Sequence, residues 1–372
     1  MPKILLFANT DWYLYNFRLT LAKKLRQLGY EVILLSPPGD FQERLQENGF
    51  EWIPFPLSRQ GINPFSELYT VWRLLKIYRQ VRPVIVHHFT IKPVIYGSLA
   101  AHILNIKGII NSITGLGHLF IDTGVVTRVV RELAKILYRM SLWRTHVIFE
   151  NPEDRNTFVQ NKLLNTRQAN LILGTGVDTK KFKPTAKRQD TPLVLFSSRL
   201  LASKGIVEFV EAAQMTRTKG LKARFAIAGT SDPGNPASIP PEQIQVWERT
   251  GVVEVWGWQE DMPSTLAQAD IFCLPSYREG VPSALLEACA SGIPIVTTNV
   301  PGCRDVVTNS INGLLVPPEN PQALAEAIAT LLKDPKLRAE MGKAGRQLAL
   351  DKFSLEKIIE QTMYVYQKAL KS

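Results

Sequence analysis

Short apolar runs alternate with longer helical patterns along the chain. The runs are rich in Val, Ile, Leu and Phe, and the segments between them place apolar residues at the three- and four-residue spacing of an amphipathic helix. The predicted strands lie at 3–8, 31–36, 84–88, 108–113, 146–150, 193–198, 223–228, 252–256, 270–274 and 294–298. In the first half, helices are predicted at 17–28, 64–81, 93–104, 125–143 and 152–161. Strands that alternate with helices of this length form right-handed βαβ units and parallel sheets.

Two such series, one in each half, predict an α/β chain with two doubly wound domains. The segment 183–192, KPTAKRQDTP, is polar, has two prolines and shows no hydrophobic period, which is typical of a domain boundary. We therefore assign residues 1–185 to a first domain and 186–352 to a second. Residues 353–372 are predicted to form one amphipathic helix. The pattern leaves open which domain this helix packs against, and a return to the first domain is one option.

Length and composition narrow the class of protein. A chain of 372 residues suits two domains, each with its own core. No window of about 20 residues is both apolar and free of charge, so no transmembrane helix is predicted. The sequence begins MPKILLFAN, which enters a strand without an export signal. The odd cysteine count (Cys273, Cys289, Cys303) predicts reduced thiols and a cytoplasmic protein.

The net charge of +11 is concentrated in the first half of the chain. Residues 1–186 contain 24 Lys and Arg against 13 Asp and Glu, whereas residues 187–372 contain 20 of each. Such asymmetry indicates an anionic partner for the first half: a membrane surface, a phosphorylated substrate or a nucleic acid. The alternative is a basic surface that is merely solvated.

The first chemical motif, PSYREGVPSALLEACASGIPIV, follows the strand at 270–274. Glu279 is predicted in the loop and Glu287 on the second turn of the next helix, with Pro282 in its first turn. The backbone N–H groups of Gly280 and Val281 lie between the two acids at a helix N-terminus, which attracts anions. A nucleotide sugar satisfies both features, because its diphosphate accepts hydrogen bonds and its hydroxyls donate them. The alternative is a surface loop with incidental acids.

A second motif, SSRLLASKGIVEFVEAA, follows the strand at 193–198. Arg199 and Lys204 are predicted in the loop and Gly205 at the start of the next helix. Cations at a helix N-terminus suit a diphosphate, with Arg as a planar fork and Lys as a point charge. Combined with the acidic loop, these residues predict a nucleotide-sugar site with balanced charge.

The segments SRLLASKG and EGVPSALLE resemble the donor site of the retaining glycosyltransferases of family 4, and GTGVDTKKFKP at 174–184 resembles the interdomain element of that family. The resemblance covers nearly the whole chain. It implies the GT-B fold, in which two doubly wound Rossmann-like domains face a central cleft. It also implies roles: Arg199 and Lys204 stabilise the leaving diphosphate, Glu279 contacts the donor sugar, Glu287 contacts the ribose hydroxyls, and the backbone of Gly280, Val281, Pro282 and Ser283 binds phosphate or sugar.

The resemblance further implies catalysis without a metal or other cofactor, because cations and helix dipoles replace a divalent ion. The absence of a DxD motif in a fitting place agrees with this expectation. In similar enzymes the segment after the strand at 252–256 lies near the nucleotide base. Trp258 is therefore a candidate for that contact, with ordinary packing as the alternative.

The first half is predicted to bind the acceptor. Segment 8–25 lacks a GxGxxG motif, which argues against a dinucleotide cofactor. Asn16 and Arg18 in this segment are candidate acceptor contacts, with Arg18 available for a phosphate. Segments 87–101 and 111–124 resemble acceptor-side loops of bacterial family members that extend polyprenyl-diphosphate-linked sugars, including galactosaminyltransferases that act on diacetylbacillosamine-linked lipid.

This second resemblance implies that Lys92 binds acceptor phosphate and that Gly115 and Gly117 allow close backbone approach to the reacting centre. In some related family members a histidine in this loop contacts the donor sugar, so His118 is a candidate for that contact and, less readily, for a general base; a similar loop with an aromatic residue at that place is the alternative. His87 and His88 end a strand, and we expect one to face the cleft and the other the core.

Two helical runs carry cations at helical spacing. Residues 128–144 place Arg128, Arg131, Lys135 and Arg139 on one face, with Tyr138 and Trp143 nearby. Residues 64–81 do the same with Arg73, Lys76 and Arg79 beside Trp72 and Tyr78. Cationic faces with aromatic side chains favour peripheral binding to anionic lipids. A solvated helix face is the alternative.

The motifs predict a glycosyltransferase with a nucleotide-diphosphate donor. The family resemblance implies that the sugar is transferred with retention, from UDP by family tendency, to a polyprenyl-diphosphate-linked saccharide in cell-surface glycan assembly. The protein would work in the cytoplasm, at the inner face of the membrane. An N-acetylhexosamine is favoured, and a hexose passed to a soluble or other lipid acceptor is the alternative. A non-hydrolysing sugar-nucleotide epimerase and a nucleic-acid-binding protein rank lower, because the paired cation and acid motifs disfavour the first and no nucleic-acid motif supports the second.

Overall fold

The structure is a computed structural model that describes residues 1–58, 64–115, 125–185, 191–232 and 234–371, with the side chains of 64 and 125–130 outside this description. The chain divides into two compact units. Unit 1 comprises Met1–Thr175 and Ile358–Ser372, and unit 2 comprises Gly176–Lys357.

Unit 1 is built on a seven-stranded parallel sheet with strand order β3-β2-β1-β4-β5-β6-β7. The strands are β1 (Lys3–Phe7), β2 (Glu31–Ser36), β3 (Glu51–Pro54), β4 (Ile85–Phe89), β5 (Gly108–Ile113), β6 (His146–Phe149) and β7 (Ala169–Leu171). The central strands are almost fully buried, as expected for a parallel sheet covered on both faces. The five strands predicted here are confirmed, whereas β3 and β7 were not predicted.

The helices of unit 1 cover both faces of this sheet. They are α1 (Asp11–Tyr13), α2 (Leu19–Gln27), α3 (Gln42–Glu47), α4 (Pro64–Val81), α5 (Ser98–Ile103), α6 (Val125–Ser141) and α7 (Pro152–Gln160), with π-helical turns at Leu14–Arg18 and Pro93–Gly97. The predicted first loop is therefore helical from Asp11 onward, and Asn16 and Arg18 lie in a π-helical turn. Thr10 caps this helical segment, because its side chain accepts a hydrogen bond from the N–H of Tyr13.

Unit 2 is built on a six-stranded parallel sheet with order β10-β9-β8-β11-β12-β13. Its strands are β8 (Leu193–Ser197), β9 (Arg224–Ala228), β10 (Glu254–Gly257), β11 (Ile271–Leu274), β12 (Ile295–Thr298) and β13 (Gly313–Val316). Its helices are α8 (Ile206–Thr218), α9 (Pro241–Arg249), α10 (Met262–Ala267), α11 (Ser283–Ala290), α12 (Cys303–Val306), α13 (Pro321–Lys333) and α14 (Pro335–Leu348), with a π-helical turn at Ala349–Phe353. The five strands predicted here are confirmed, and β13 is an addition.

The division between the units falls ten residues before the predicted boundary at 185. Residues 176–185 belong to unit 2 because they are held to its last helices. The guanidinium of Arg346 donates to the backbone carbonyls of Thr179 and Phe182 at 3.0 and 2.8 Å. The polar segment that predicted the boundary therefore begins inside unit 2.

The last helix, α15 (Leu355–Lys371), joins unit 1 from Ile358 onward. Tyr366 is buried against β4, and its hydroxyl lies 2.8 Å from Nδ1 of His87. Nε2 of His87 is hydrogen bonded to the Ser112 hydroxyl, also at 2.8 Å. The contacts of Tyr366 thus answer the question that the sequence left open, since this helix packs on the first domain.

The expectation that one of the two strand-end histidines faces a cleft is wrong. His87 and His88 are 1% and 0% exposed. Both His88 ring nitrogens have partners, Nε2 at 2.9 Å from the Tyr78 hydroxyl and Nδ1 at 2.9 Å from the Asn111 side chain. Burial lowers the pKa of His87 well below its usual range and that of His88 to about 4, so both rings stay neutral structural groups.

Two further expectations concern cysteines and the membrane. Cys273, Cys289 and Cys303 are all buried and unpaired. Across the part of the chain that the structure describes, no helix is long and apolar enough to cross a membrane.

Candidate functional site

Three loops of unit 2 meet at the carboxyl ends of neighbouring strands β8, β11 and β12. The N–H of Tyr277, after β11, donates to the carbonyl of Ser203, after β8, at 3.0 Å. The N–H of Glu279 donates to the carbonyl of Pro301, after β12, at 3.3 Å. The carboxyl edge of a parallel sheet is where open α/β folds bind ligands. The two predicted motifs therefore share one edge of one sheet.

Two glycines make this close approach possible. Gly205 has φ +74°, and a Cβ built on it would lie 2.1 Å from the carbonyl oxygen of Pro275. Gly302 has φ +81°, and its Cβ would lie 2.2 Å from the carbonyl oxygen of Gly280. A side chain at either position would clash with backbone and would also strain the left-handed conformation. The packing of the loops therefore depends on glycine at both places.

An ion pair joins the two predicted motifs. Lys204, in a 3₁₀ turn formed by Ala202–Lys204, places its Nζ 2.5 Å from Oε1 of Glu279. The Ser276 hydroxyl donates to the same oxygen at 2.7 Å. The side chains of Lys204 and Glu279 are only 18% and 10% exposed. Among the described residues no hydrogen bond reaches Oε2 of Glu279, so this oxygen can accept one from a ligand hydroxyl.

Arg199 has an acidic protein partner. Its guanidinium lies 2.9 Å from Oδ2 of Asp232, in the loop after β9. Leu200 extends this link, because its N–H donates to the carbonyl of Thr230 at 3.0 Å. The Arg199 side chain is 53% exposed, so a diphosphate can reach it at little desolvation cost.

Glu287 lies on the second turn of α11, as predicted. Burial raises the pKa of its carboxyl to about 7, and the positive charge of Lys181 acts in the opposite direction. The residue nevertheless keeps partial exposure, through which a ligand can reach it. Hydroxyl groups that donate hydrogen bonds to a carboxyl with a pKa near 7 stabilise its ionised form.

The first turn of α11 presents backbone N–H groups without a side-chain cap. Pro282 occupies the N-cap position, and its side chain forms no capping hydrogen bond. Ser283 begins the helix and is partly exposed, as is Gly280, whereas Val281 is buried. This arrangement supplies the positive end of the helix dipole, which the predicted diphosphate contact requires.

Cys303 lies beside the acidic loop without being reactive. Burial raises the pKa of its thiol to about 12, and the negative charge of Glu279 acts in the same direction. The thiol is therefore protonated at neutral pH and is a poor nucleophile.

Trp258 follows β10 and is 59% exposed, which leaves its ring open to a nucleotide base. Gly257 ties this segment to the loop after β9, because its carbonyl accepts a hydrogen bond from the N–H of Gly229 at 2.7 Å. In the regions that the structure describes, no group of three or more His, Cys, Asp or Glu side chains is arranged to hold a metal ion. The base contact and metal independence both stay predictions.

Three functional candidates were missed in the sequence: Ser276, Asp232 and Gly302. Each follows a predicted strand of the second series, which is the available signal. Ser and Asp are nevertheless common in such loops, and Gly302 is one of 23 glycines. Only the contacts with Glu279, Arg199 and the motif backbone single them out.

The structure buries Arg18 and exposes Asn16, the two acceptor candidates of the first loop. Arg18 is 8% exposed and lies 3.8 Å from Oε1 of Glu150. It donates to the Tyr13 hydroxyl at 2.5 Å, and its guanidinium stands 4.3 Å from the centre of the Phe89 ring. Asn16 is exposed, and its amide donates to the carbonyl of Trp12 at 2.9 Å. Because Arg18 already has these buried partners, its availability to a phosphate is reduced, and phosphate binding by it stays a prediction.

Lys92 follows β4, and its ammonium group lies 2.6 Å from Oε1 of Glu67 on α4. A phosphate would have to compete with this carboxylate. Gly115 has φ +141°, a conformation that glycine allows. Gly117 and His118 lie outside the described residues.

The basic helices also differ from the sequence interpretation. Tyr78 and Tyr138, predicted to accompany the cations at a surface, are 1% and 2% exposed and belong to the core. Arg139 donates to the backbone carbonyls of Lys162 and Asn161 at 3.1 and 3.3 Å. Trp72 and Trp143, by contrast, are exposed. The side chain of Arg128 lies outside the described residues.

Comparison with known proteins agrees with this arrangement. The model of the glycosyl transferases group 1 family matches residues 177–348, and the model of the glycosyl transferase 4-like family matches residues 3–151. The chain is 30% identical, over 96% of both sequences, to the N,N'-diacetylbacillosaminyl-diphospho-undecaprenol alpha-1,3-N-acetylgalactosaminyltransferase of Campylobacter jejuni. It is 23% identical to the UDP-Gal:alpha-D-GlcNAc-diphosphoundecaprenol alpha-1,3-galactosyltransferase of Escherichia coli, over 84% of this chain and 82% of that one.

Solved structures share the fold. A sucrose-phosphate synthase from Thermosynechococcus elongatus superposes with a TM-score of 0.82 at 21% identity, covering 100% of both chains. A glycosyltransferase from Rickettsia africae gives a TM-score of 0.81 at 20% identity, covering 100% of this chain and 99% of that one. The two Rossmann-like units thus form a GT-B chain.

Proposed function

The chain belongs to the family of GT-B glycosyltransferases of the group 1 and 4-like type, and from this premise we propose that it transfers an N-acetylhexosamine from a UDP-sugar, with retention, to a polyprenyl-diphosphate-linked saccharide. The reaction would serve cell-surface glycan assembly. It would take place in the cytoplasm, with the enzyme bound peripherally to the inner face of the membrane.

The observation that carries the donor site is the ion pair between Lys204 and Glu279. It joins the two motifs at the carboxyl edge of unit 2, and it leaves Oε2 of Glu279 able to accept from a sugar hydroxyl. Lys204 keeps a positive charge at the same place, where the leaving diphosphate gains negative charge. One pair therefore serves both the sugar and the diphosphate of the donor.

The surrounding groups support the rest of the donor. The exposed guanidinium of Arg199 and the uncapped first turn of α11 suit the diphosphate. Glu287 suits the ribose hydroxyls, and Trp258 offers an exposed ring for the base. We propose that these groups act without a metal ion, because the two cations and the helix dipole supply the positive charge.

In the proposed reaction the bond between the anomeric carbon and the diphosphate oxygen breaks, and a bond from the acceptor hydroxyl oxygen forms on the same face of the sugar. The acceptor proton passes to the departing phosphate oxygen, so no protein base is consumed. The protein contributes orientation and stabilises the diphosphate. His118 is proposed as a donor-sugar contact.

The acceptor proposal rests on the two curated relatives. Both names specify a sugar joined to undecaprenol through a diphosphate, and both specify an alpha-1,3 linkage. The more similar relative transfers an N-acetylhexosamine by name, and the name of the other includes UDP. The excess positive charge of the first half suits a lipid diphosphate.

The test is a transfer assay with the full chain. Radiolabelled UDP- and GDP-sugars, including UDP-N-acetylgalactosamine, UDP-N-acetylglucosamine and UDP-galactose, are incubated with short-chain polyprenyl-diphosphate saccharides or with free saccharides. We expect label in the lipid-linked product from a UDP-N-acetylhexosamine, and an alpha linkage by proton NMR. Label only in free saccharides would overturn the acceptor, and transfer only from GDP-sugars would overturn the donor.

Variants link the activity to the site. Lys204→Met should abolish transfer, whereas Lys336→Met should leave it unchanged, because Lys336 is an exposed cation on α14. Equal activity in the two variants would show that the transfer centre lies elsewhere.

A further inference from the structure

Two helices of unit 1 expose large apolar side chains in regular stripes. On α4 the stripe consists of Phe65, Leu68, Tyr69 and Trp72, whose exposed fractions lie between 46% and 84%. On α6 it consists of Leu133, Ile136, Leu137 and Met140, exposed between 36% and 57%. Both sets follow the i, i+3, i+4, i+7 spacing, which places their members on one face of a helix.

These stripes point away from the sheet. The opposite side of α4 buries Leu74 and Tyr78 in the core of unit 1, and the opposite side of α6 buries Tyr138 and Leu142. Each helix therefore has an apolar face toward the protein and a second apolar face toward the surroundings. Large exposed apolar patches on a protein mark interaction sites.

The two helices cover the same face of the sheet. The core under α4 includes Val86 and Ile109, which are direct neighbours in the register of β4 and β5. The core under α6 includes Ile113 and Phe149, which are direct neighbours in β5 and β6. Ile109 and Ile113 are four residues apart in one strand, so their side chains point to the same face. Both stripes therefore lie on the same side of unit 1.

Positive charge accompanies both stripes. Residues 64–82 and 131–144 together contain eight Lys and Arg and two acids. Each acid has a lysine partner, Glu67 with Lys92 at 2.6 Å and Glu132 with Lys135 at 2.8 Å. The segments are therefore left with a strong net positive charge.

Exposed aromatic rings, within the stripe on α4 and beside the stripe on α6, contact the cations. Nζ of Lys76 lies 3.6 Å from the centre of the Trp72 ring, and Trp72 stacks on Tyr69 with ring centres 5.5 Å apart. The guanidinium of Arg144 lies 4.8 Å from the Trp143 ring, which is 60% exposed. Tryptophan and tyrosine with an apolar ring and a polar edge are typical of the membrane–water interface.

We infer that the outward faces of α4 and α6, termed here the docking surface, insert into the headgroup region of an anionic membrane. The positive charge favours a lipid surface as the partner. Cations around an apolar stripe bind anionic headgroups, while the stripe itself enters the boundary between headgroups and acyl chains. The inference rests on the proposed function in one respect, because an enzyme with a lipid-linked acceptor has to reach that acceptor at the membrane. It assigns membrane binding to the apolar stripes as well as to the basic faces.

The test measures flotation of the full chain with vesicles of phosphatidylcholine, with or without phosphatidylglycerol. One variant carries Leu68→Ser and Trp72→Ser on α4, a second carries Ile136→Ser and Met140→Ser on α6, and a third combines all four. The control carries Val246→Ser and Ile311→Ser, which are apolar side chains of unit 2 with exposed fractions in the same range. Because all six side chains are exposed, the fold should be unchanged, which circular dichroism checks.

We expect binding to the anionic vesicles, a fall in affinity as salt rises, and a loss of roughly tenfold or more for each pair on α4 or α6, since burying one large apolar side chain contributes about that factor. The control should bind like the unchanged protein. The fourfold variant should also lose transfer to an acceptor embedded in vesicles but keep transfer to a short-chain acceptor in solution.

Two results would overturn the inference. One is vesicle binding that is absent in the unchanged protein or equal in the fourfold variant. The other is a fourfold variant that changes from dimer to monomer in sedimentation while its vesicle binding stays unchanged, because the stripes would then cover a second copy. Failure of the proposed function has a different signature, namely no transfer to any acceptor while vesicle binding still depends on the stripes.

Discussion

The ion pair between Lys204 and Glu279 can be removed from one side or from both, and the two perturbations have different consequences. The charged atoms are 2.5 Å apart and the side chains are 18% and 10% exposed, so little water replaces a lost partner. Lys204→Met or Glu279→Gln alone leaves one charge unpaired, at a cost of about 3 kcal/mol. The double variant leaves none and should be within about 1 kcal/mol of the unchanged protein.

These free energies translate into thermal shifts. For a unit of this size, about 1 kcal/mol corresponds to roughly 2–4 °C in Tm. Each single variant should therefore unfold roughly 6–12 °C lower in the transition of unit 2, whereas the double variant should stay close to the unchanged protein. Differential scanning calorimetry of the full chain measures the shift.

Turnover should separate from stability in the double variant. Removing one preorganised charge from a developing anion costs about 10²–10³ in kcat. The double variant should therefore remain folded and lose transfer, which a purely structural ion pair would not do. Turnover within tenfold of normal in the folded double variant would refute the assignment, and single variants as stable as the unchanged protein would refute the burial argument.

Three other outcomes are expected. The affinity for a UDP-sugar, measured by calorimetry, should fall about tenfold from about pH 8 to about pH 6. The reason is that protonation of Glu287, whose pKa is about 7, removes the carboxylate that accepts hydrogen bonds from the ribose hydroxyls. A Glu287→Gln variant with the same pH dependence would contradict this. Gly205→Ala and Gly302→Ala should each lower Tm and turnover, because the added Cβ atoms would lie 2.1 and 2.2 Å from backbone oxygens. The control is Gly220→Ala, which has φ +71° and no atom within 4 Å of the added Cβ, and which should lose only about 1 kcal/mol of stability. Transfer should continue at an unchanged rate in EDTA. A loss of transfer in EDTA that added Mg²⁺ or Mn²⁺ restores would show that a metal takes part.

Most of the fold could be predicted because buried parallel strands have a strong local signature. All ten predicted strands are present, each within two residues of its predicted bounds. The strands that escaped prediction, β3, β7 and β13, lie at sheet edges and have three or four residues. An edge strand contacts only one neighbour and is partly solvated, and each of these three strands buries at most two residues, so its buried run is too short to be recognised. Such a strand forms because it can pair with the adjacent strand of the sheet.

The donor site could be predicted in part for a similar reason. Each motif follows a strand, and this local fact suffices to place Lys204 and Glu279 at one edge of the sheet. The partner of Arg199 could not be predicted, because Asp232 is 33 residues away in the loop after β9. The role of Gly302 likewise depends on a contact with the backbone of Gly280. Such contacts depend on the order of the strands in the sheet, which a local sequence pattern does not reveal.

The basic helices show where periodicity stops being sufficient. Along α4 the apolar residues fall into two stripes, one containing Trp72 and the other containing Tyr78, so spacing alone assigns residues to faces without deciding which face meets the sheet. The structure buries Tyr78 and exposes Trp72. A helix that only covers a sheet needs one apolar face, and keeping the second in water forgoes about 25 cal/mol for each Å² of apolar surface that burial would remove. The second stripe gains that free energy only when something covers it, and on α4 the cation nearest to it, Lys76 over the Trp72 ring, favours an anionic surface for that role.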